Sequence, residues 1–177
     1  MAGAVPGSLM AEAADRLAAL FDTHYERLYR LSRRLCANAD DALDLVQETF
    51  LRAARAAVIP DGATHEEAWL VRILVNVRRD DWRRAAARRR HDAAVDLRTR
   101  PASDPETQAI ARTVVWGALD ALHPRRRAVV VLHELEGMST AAIATLLGMS
   151  AVTVRWHLSR GRRELTCLLS PTTGDTA

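Results

Sequence analysis

The chain has 177 residues, 49% of them hydrophobic and 27% charged, and carries a formal net charge of +3. That length allows one large domain or two small ones with modest cores, and the composition is ordinary for a globular protein. No segment approaches the apolar length needed to span a bilayer, and Cys36 and Cys167 stand far apart with no spaced framework. These facts exclude a transmembrane helix and a disulfide scaffold, so a protein without membrane insertion, in the cytoplasm, is expected.

All 25 basic residues are arginine. Arginine is the side chain best suited to bidentate contacts with phosphate and guanine. Aromatics make up only 5%, while Ala, Leu and Arg dominate, which favours an all-α fold. Residues 1–14 lack the basic start and apolar run of a signal peptide and are expected as a loose tail.

From Leu17 onward Leu20, Phe21, His24, Leu28, Leu31 and Leu35 fall at three- and four-residue steps, one face of a helix. Asn38 and Asp40 interrupt it and can cap the next one. The second helix is expected to bury Leu43, Val46, Phe50 and Ala54, leaving Asp41, Asp44, Glu48, Arg52 and Arg55 outside. Ile59-Pro60-Asp61-Gly62 is a turn. Thr64-x-x-Glu67 has the form of a capping box opening a third helix, whose buried row is Leu70, Ile73, Leu74 and Val77. The first domain is thus expected over 15–90.

Residues 91–108 lose the period and read as a flexible linker. A second domain over 109–170 follows. Ile110, Val114, Leu119 and Leu122 mark one helix, His123-Pro124 ends it, and a helix over 125–135 is stopped by Gly137. Residues 171–177 are expected as a second loose tail. The architecture predicted is therefore all-α, with two small helical domains on a tether.

The second domain carries the sharpest pattern. Ser139 can cap a short helix with Ile143 and Leu147 inward, Gly148 permits a tight turn, and Ser150 can cap a final helix. In that helix Val154, Leu158, Gly161 and Leu165 form an inner stripe, while Thr153, Arg155, Trp156, His157, Ser159 and Arg160 face outward. This is the layout of a helix-turn-helix, in which arginines near the start of the second helix meet base edges in the major groove. Arg162 and Arg163, further along, suit phosphates.

Three motifs together resemble the extracytoplasmic-function group of bacterial RNA polymerase sigma factors. The stretch from Asp41 to Ala53 looks like the helix that binds core polymerase. Trp69-Leu70-Val71-Arg72-Ile73-Leu74-Val75-Asn76, with Asp80, Arg83 and Arg84, resembles the promoter-melting helix. Thr153-Val154-Arg155 and Arg160-Gly161-Arg162 resemble the group's second DNA-binding domain. The resemblance implies core RNA polymerase and promoter DNA as partners, and an anti-sigma factor that holds the protein inactive.

The resemblance also implies roles for particular residues. Asp44, Gln47 and Glu48 would dock on polymerase. Trp69 and Asn76 would capture an extruded base of the −10 element, helped by the loop over residues 58–63. Arg79, Arg83 and Arg84 would hold phosphates there. Thr153, Arg155, Trp156, Ser159 and Arg160 would read the −35 element. Three departures stand out: Ala142 replaces a frequent glutamate, Trp156 stands where the group usually has a small residue, and His157 stands where a basic one is common. No catalysis and no cofactor are implied. The histidines are scattered, and neither a metal-ligand set nor a Gly-rich phosphate loop is present. A stand-alone helix-turn-helix regulator, dimeric on a palindrome, is the alternative.

Overall fold

The structure is a computed structural model that describes residues 6–91 and 107–170. Among these residues there are helices and no strands, as the composition predicts. The expected linker over 91–108 falls outside the described residues except at its ends, as does the expected tail at 171–177. Helix α1 spans Pro6–Leu35, α2 Ala39–Ala54 and α3 Ala63–His91; α4 spans Thr107–Ala121, α5 Pro124–Val130, α6 Thr140–Leu147 and α7 Ala151–Leu169. The helix α1 begins inside the stretch expected as a tail. Two compact units divide at Val77 and Arg78, inside α3.

In the first unit α1 turns Leu20, Leu28, Leu31 and Leu35 onto α2 and α3, which answer with Ala42, Leu45, Val46, Ala53, Leu70 and Leu74. The Asn38 side chain caps α2 by accepting from Asp41 N–H at 2.7 Å, so Asp40 is left in the first turn. The buried row of α2 differs from the expected one. It runs Ala42, Leu45, Val46, Thr49, Phe50 and Ala53, while Ala54 is exposed and Leu43 only half-buried. Small Ala42 and Ala53 allow close helix approach, and the Thr49 hydroxyl satisfies itself on the Leu45 carbonyl at 2.7 Å.

Phe21 also departs from expectation. It is 41% exposed, with its ring against Tyr25 and Phe50 at 4.7 and 4.8 Å between centroids. The capping box does not form. Helix α3 opens one residue before Thr64, with His65 N–H and Glu66 N–H donating to the Gly62 carbonyl. Glu67 is drawn instead to Arg27 of α1 at 3.1 Å, and buried His24 lies 3.2 Å from Glu66. These two tertiary pairs outcompete the local cap.

The second unit runs from Arg78. In it the Trp82 and His123 rings meet edge-on, 4.5 Å between centroids. His123 ends one helix and starts another: its ring accepts from Arg125 N–H at 3.3 Å, and Pro124 fills the first helical position. Helix α5 does not run on regularly to 135; over Val131–Leu135 it widens into a π-helical turn. Val114 is exposed, and Ala118, Leu119 and Leu122 carry the buried face of α4. Arg127 is buried and ion-paired with Asp120 of α4, which fixes α4 against α5.

Candidate nucleic-acid interface

The α6–α7 pair is built by three local devices. The Ser139 hydroxyl accepts from Ala142 N–H at 3.1 Å and opens α6. Gly148 closes it in the left-handed region at φ +62°, where a side chain would be strained. The Ser150 hydroxyl accepts from Thr153 N–H at 3.1 Å and opens α7. The two helices bend by 110° across that turn, within the range of helix-turn-helix units. Val154 and Ile143 are fully buried at the crossing, with Ala144, Leu146 and Leu158 around them; Leu147 is only half-buried.

The outer face of α7 carries Arg155, Trp156, Ser159 and Arg160, all exposed. Val152, which the sequence pattern did not single out, joins them at 67% exposed. Thr153 is half-buried, its hydroxyl 2.8 Å from that of Ser150, so it serves the cap as well as the face. His157 is a correction. It is buried rather than outward, because it falls one step round the helix from Trp156 toward Val154 and Leu158. Burial first, then the Arg126, His123 and Arg125 charges, push its pKa below 6.5. Its Nδ1 is buried without a hydrogen-bond partner.

Arg162 is not free for phosphate alone, since it pairs with Glu134 of the π-helical turn at 2.6 Å. Glu164 gathers Arg126 of α5 and Arg160 at 2.5 and 3.1 Å. Burial raises the Glu164 pKa, but the Arg126 hydrogen bond and charge, then those of Arg160, outweigh this and hold it below 4.5.

In the first unit Asp44 and Gln47 stand exposed on α2, and Glu48 is half-buried and paired with Arg52 at 2.8 Å. Leu51, 51% exposed, completes the i, i+3, i+7 row from Asp44. Its apolar character, one residue after buried Phe50, hid it from the sequence pattern. Trp69 and Asn76 are both half-buried, two turns apart on α3 and so about 10 Å apart along its axis. Trp69 is therefore neither a core anchor nor a free surface ring. Beyond the division at Arg78, Arg79 meets Asp80 at 3.0 Å and Arg84 meets Asp81 at 3.4 Å, while Arg83 is exposed. The exposed Arg84 pair is weak in water and can yield to phosphate.

The fold and the α6–α7 geometry define a helix-turn-helix DNA-binding protein. Comparison with known proteins narrows the class. Residues 20–88 match the family Sigma-70 region 2, and residues 112–165 match Sigma-70, region 4. The ECF RNA polymerase sigma factor SigL of Mycobacterium tuberculosis is 37% identical over 91% of this chain and 92% of its own length. SigE of Mycolicibacterium smegmatis is 39% identical over 87% of this chain, which spans 62% of that relative. The fold matches the sigma factor RpoE of Bartonella quintana, solved in complex with the anti-sigma factor NepR, with a TM-score of 0.59 at 22% identity, covering 93% of this chain and 98% of that one. The chain belongs to the family of ECF RNA polymerase sigma factors.

No single helix among the described residues is long and apolar enough to cross a membrane. Among the described residues, α6 and α7 together have the length and apolar composition of a broken span, and they are the helix-turn-helix itself.

Proposed function

We propose that this chain works in the cytoplasm as an alternative sigma factor that acts by binding, with no chemistry of its own. Asp44, Gln47 and Glu48 dock on core RNA polymerase, with Leu51 beside them. Trp69 and Asn76 trap an unstacked base of the −10 element, the indole by stacking and the amide by edge hydrogen bonds. Arg79, Arg83 and Arg84 hold adjacent phosphates. Arg155, Trp156, Ser159 and Arg160 of α7 read the −35 element in the major groove, with Thr153 at the helix start. Two weak DNA-reading modules on one chain gain effective affinity when polymerase fixes their separation.

The observation that carries this reading is the capped 110° helix pair with an arginine-bearing outer face, in a chain whose residues 20–88 also match Sigma-70 region 2. An anti-sigma factor is the further partner proposed, supported by likeness of fold to a sigma factor solved with one. The test is run-off transcription with purified core polymerase lacking any sigma. The chain should confer initiation at a small set of promoters. Glu48→Arg should abolish it by preventing assembly with core, and Arg155→Ala should abolish it without affecting assembly. If polymerase gains nothing and the protein alone binds a palindrome as a dimer, the stand-alone regulator is the right reading.

A further inference from the structure

Trp156 is the largest apolar side chain on the outer face of α7, beside Arg155, Ser159 and Arg160, and it is 57% exposed. Val152, one turn earlier on the same face, extends the apolar surface. The indole is nevertheless held. The Arg126 guanidinium lies over the ring, 5.7 Å from its centroid. The His157 ring meets it edge-on at 4.9 Å. Arg126 itself is fixed by Glu164, its Nη1 donating to both carboxylate oxygens at 2.7 and 2.5 Å. A large apolar plane is therefore presented outward in one orientation, so little rotamer freedom is lost when something packs on it.

Within a major groove the base pairs offer hydrogen-bonding edges and one kind of apolar group, the 5-methyl of thymine. An indole has a single N–H donor and no charge, so it is poorly matched to phosphate. Phosphate is better served by Arg163, exposed further along α7. We propose that Trp156 is a specificity-determining residue that packs on the 5-methyl group of one thymine in the −35 element. The assignment rests on α7 being the recognition helix of a promoter-specificity subunit. It follows that this chain distinguishes an A·T pair from a G·C pair at one position by apolar contact, alongside what its arginines read.

The test uses holoenzyme made from core polymerase and the full chain. A promoter fragment is first selected by that holoenzyme from duplexes randomised over the −35 region. Each thymine of the selected element is then replaced, one at a time, by deoxyuridine, which removes the methyl and leaves base pairing intact. One replacement should weaken wild-type binding about fourfold, the effect of one buried methyl. The same replacement should leave the Trp156→Ala holoenzyme unaffected, and Trp156→Phe should keep part of the discrimination. Because each protein is compared with itself on two DNAs, a general loss of affinity or folding does not imitate the result. Equal weakening of wild type and Trp156→Ala, or no weakening at any thymine, overturns the methyl contact alone. Failure to enrich any sequence overturns the promoter-specificity reading and this inference with it.

Discussion

Arg126 of α5 and Glu164 of α7 are joined through one guanidinium nitrogen that donates to both carboxylate oxygens, at 2.7 and 2.5 Å. The pair ties the recognition helix to the helix behind it, and Glu164 also takes Arg160. Arg126 keeps only 17% of its side-chain exposure, and its Nε is buried without a partner. Removing the carboxylate therefore leaves a largely desolvated cation beside buried His157. Glu164→Ala should destabilise the second unit by about 1–2 kcal/mol, less than a fully buried pair because the carboxylate is partly solvated. Chemical denaturation monitored by hydrogen exchange in α5 and α7 measures this. Unchanged protection would show that the pair holds nothing.

Gly161 decides how closely those helices approach. A Cβ built there meets Val130 Cγ2 at 2.6 Å and Arg126 Cγ at 3.1 Å. Replacing an interior helical glycine with alanine ordinarily stabilises by about 1 kcal/mol. Here Val130 is in the core, 4% exposed, and cannot swing away as a flexible side-chain end can. Overpacking of this kind costs roughly 1–3 kcal/mol, so the clash wins. Gly161→Ala should lower stability by about 1 kcal/mol and weaken promoter binding by displacing Arg126 from its place over the Trp156 ring. A stabilised variant would mean that the two helices separate at little cost.

The helix-turn-helix was legible because its determinants are local. Ser139, Gly148 and Ser150 each act within four residues of their own position, so a sequence pattern captures them fully. What escaped is set by distant partners. The Arg126–Glu164 pair spans 38 positions, and nothing near either residue announces it. The Thr64 capping box failed because Arg27 claims Glu67 from 40 positions away. His157 was misplaced for a subtler reason. On α7 the boundary between inner and outer faces runs between Trp156 and His157, so Trp156 is outside as expected, while His157, a polar residue expected beside it, is inside. The α2 stripe likewise slipped, because alanines at 42 and 53 mark close packing that a search for large apolar residues overlooks.

Burial and neighbouring arginines give the second unit a defined response to acid. His157 is lowered from 6.5 by burial and then by Arg126, His123 and Arg125; His123 is lowered by burial and then by Arg126 and Arg125. Both stay neutral in the fold while the unfolded chain takes up protons near 6.5. The unfolded state then binds more protons, so stability is full above that value and falls as pH drops through 6.5 toward the lowered values. Glu164, lowered from 4.5, adds a further loss in more acid solution. His157→Leu should reduce the slope just below 6.5 and hold stability at neutral pH because an unpartnered nitrogen is removed. An unchanged slope in acid-dependent unfolding would show that His157 does not carry the response.

Ser32 sits at the centre of the first unit, fully buried on α1 among Leu28, Leu31 and Leu35, and its hydroxyl finds no hydrogen-bond partner. A neutral hydroxyl buried in this way costs about 1–3 kcal/mol relative to water, with no bond to offset it. Alanine fits the same space, removes that cost and has the higher helix propensity. The opposing effect is a small void, at most that of one oxygen atom. Ser32→Ala should therefore stabilise the first unit by roughly 1 kcal/mol, which thermal unfolding resolves as an upward shift of several degrees for a unit of this size. The substitution lies away from Asp44, Gln47 and Glu48 in sequence and is buried, so assembly with core polymerase should be unaltered. A destabilised Ser32→Ala variant would show that the hydroxyl is satisfied in solution by a bound water, and that the core of this unit is wetter than its packing implies.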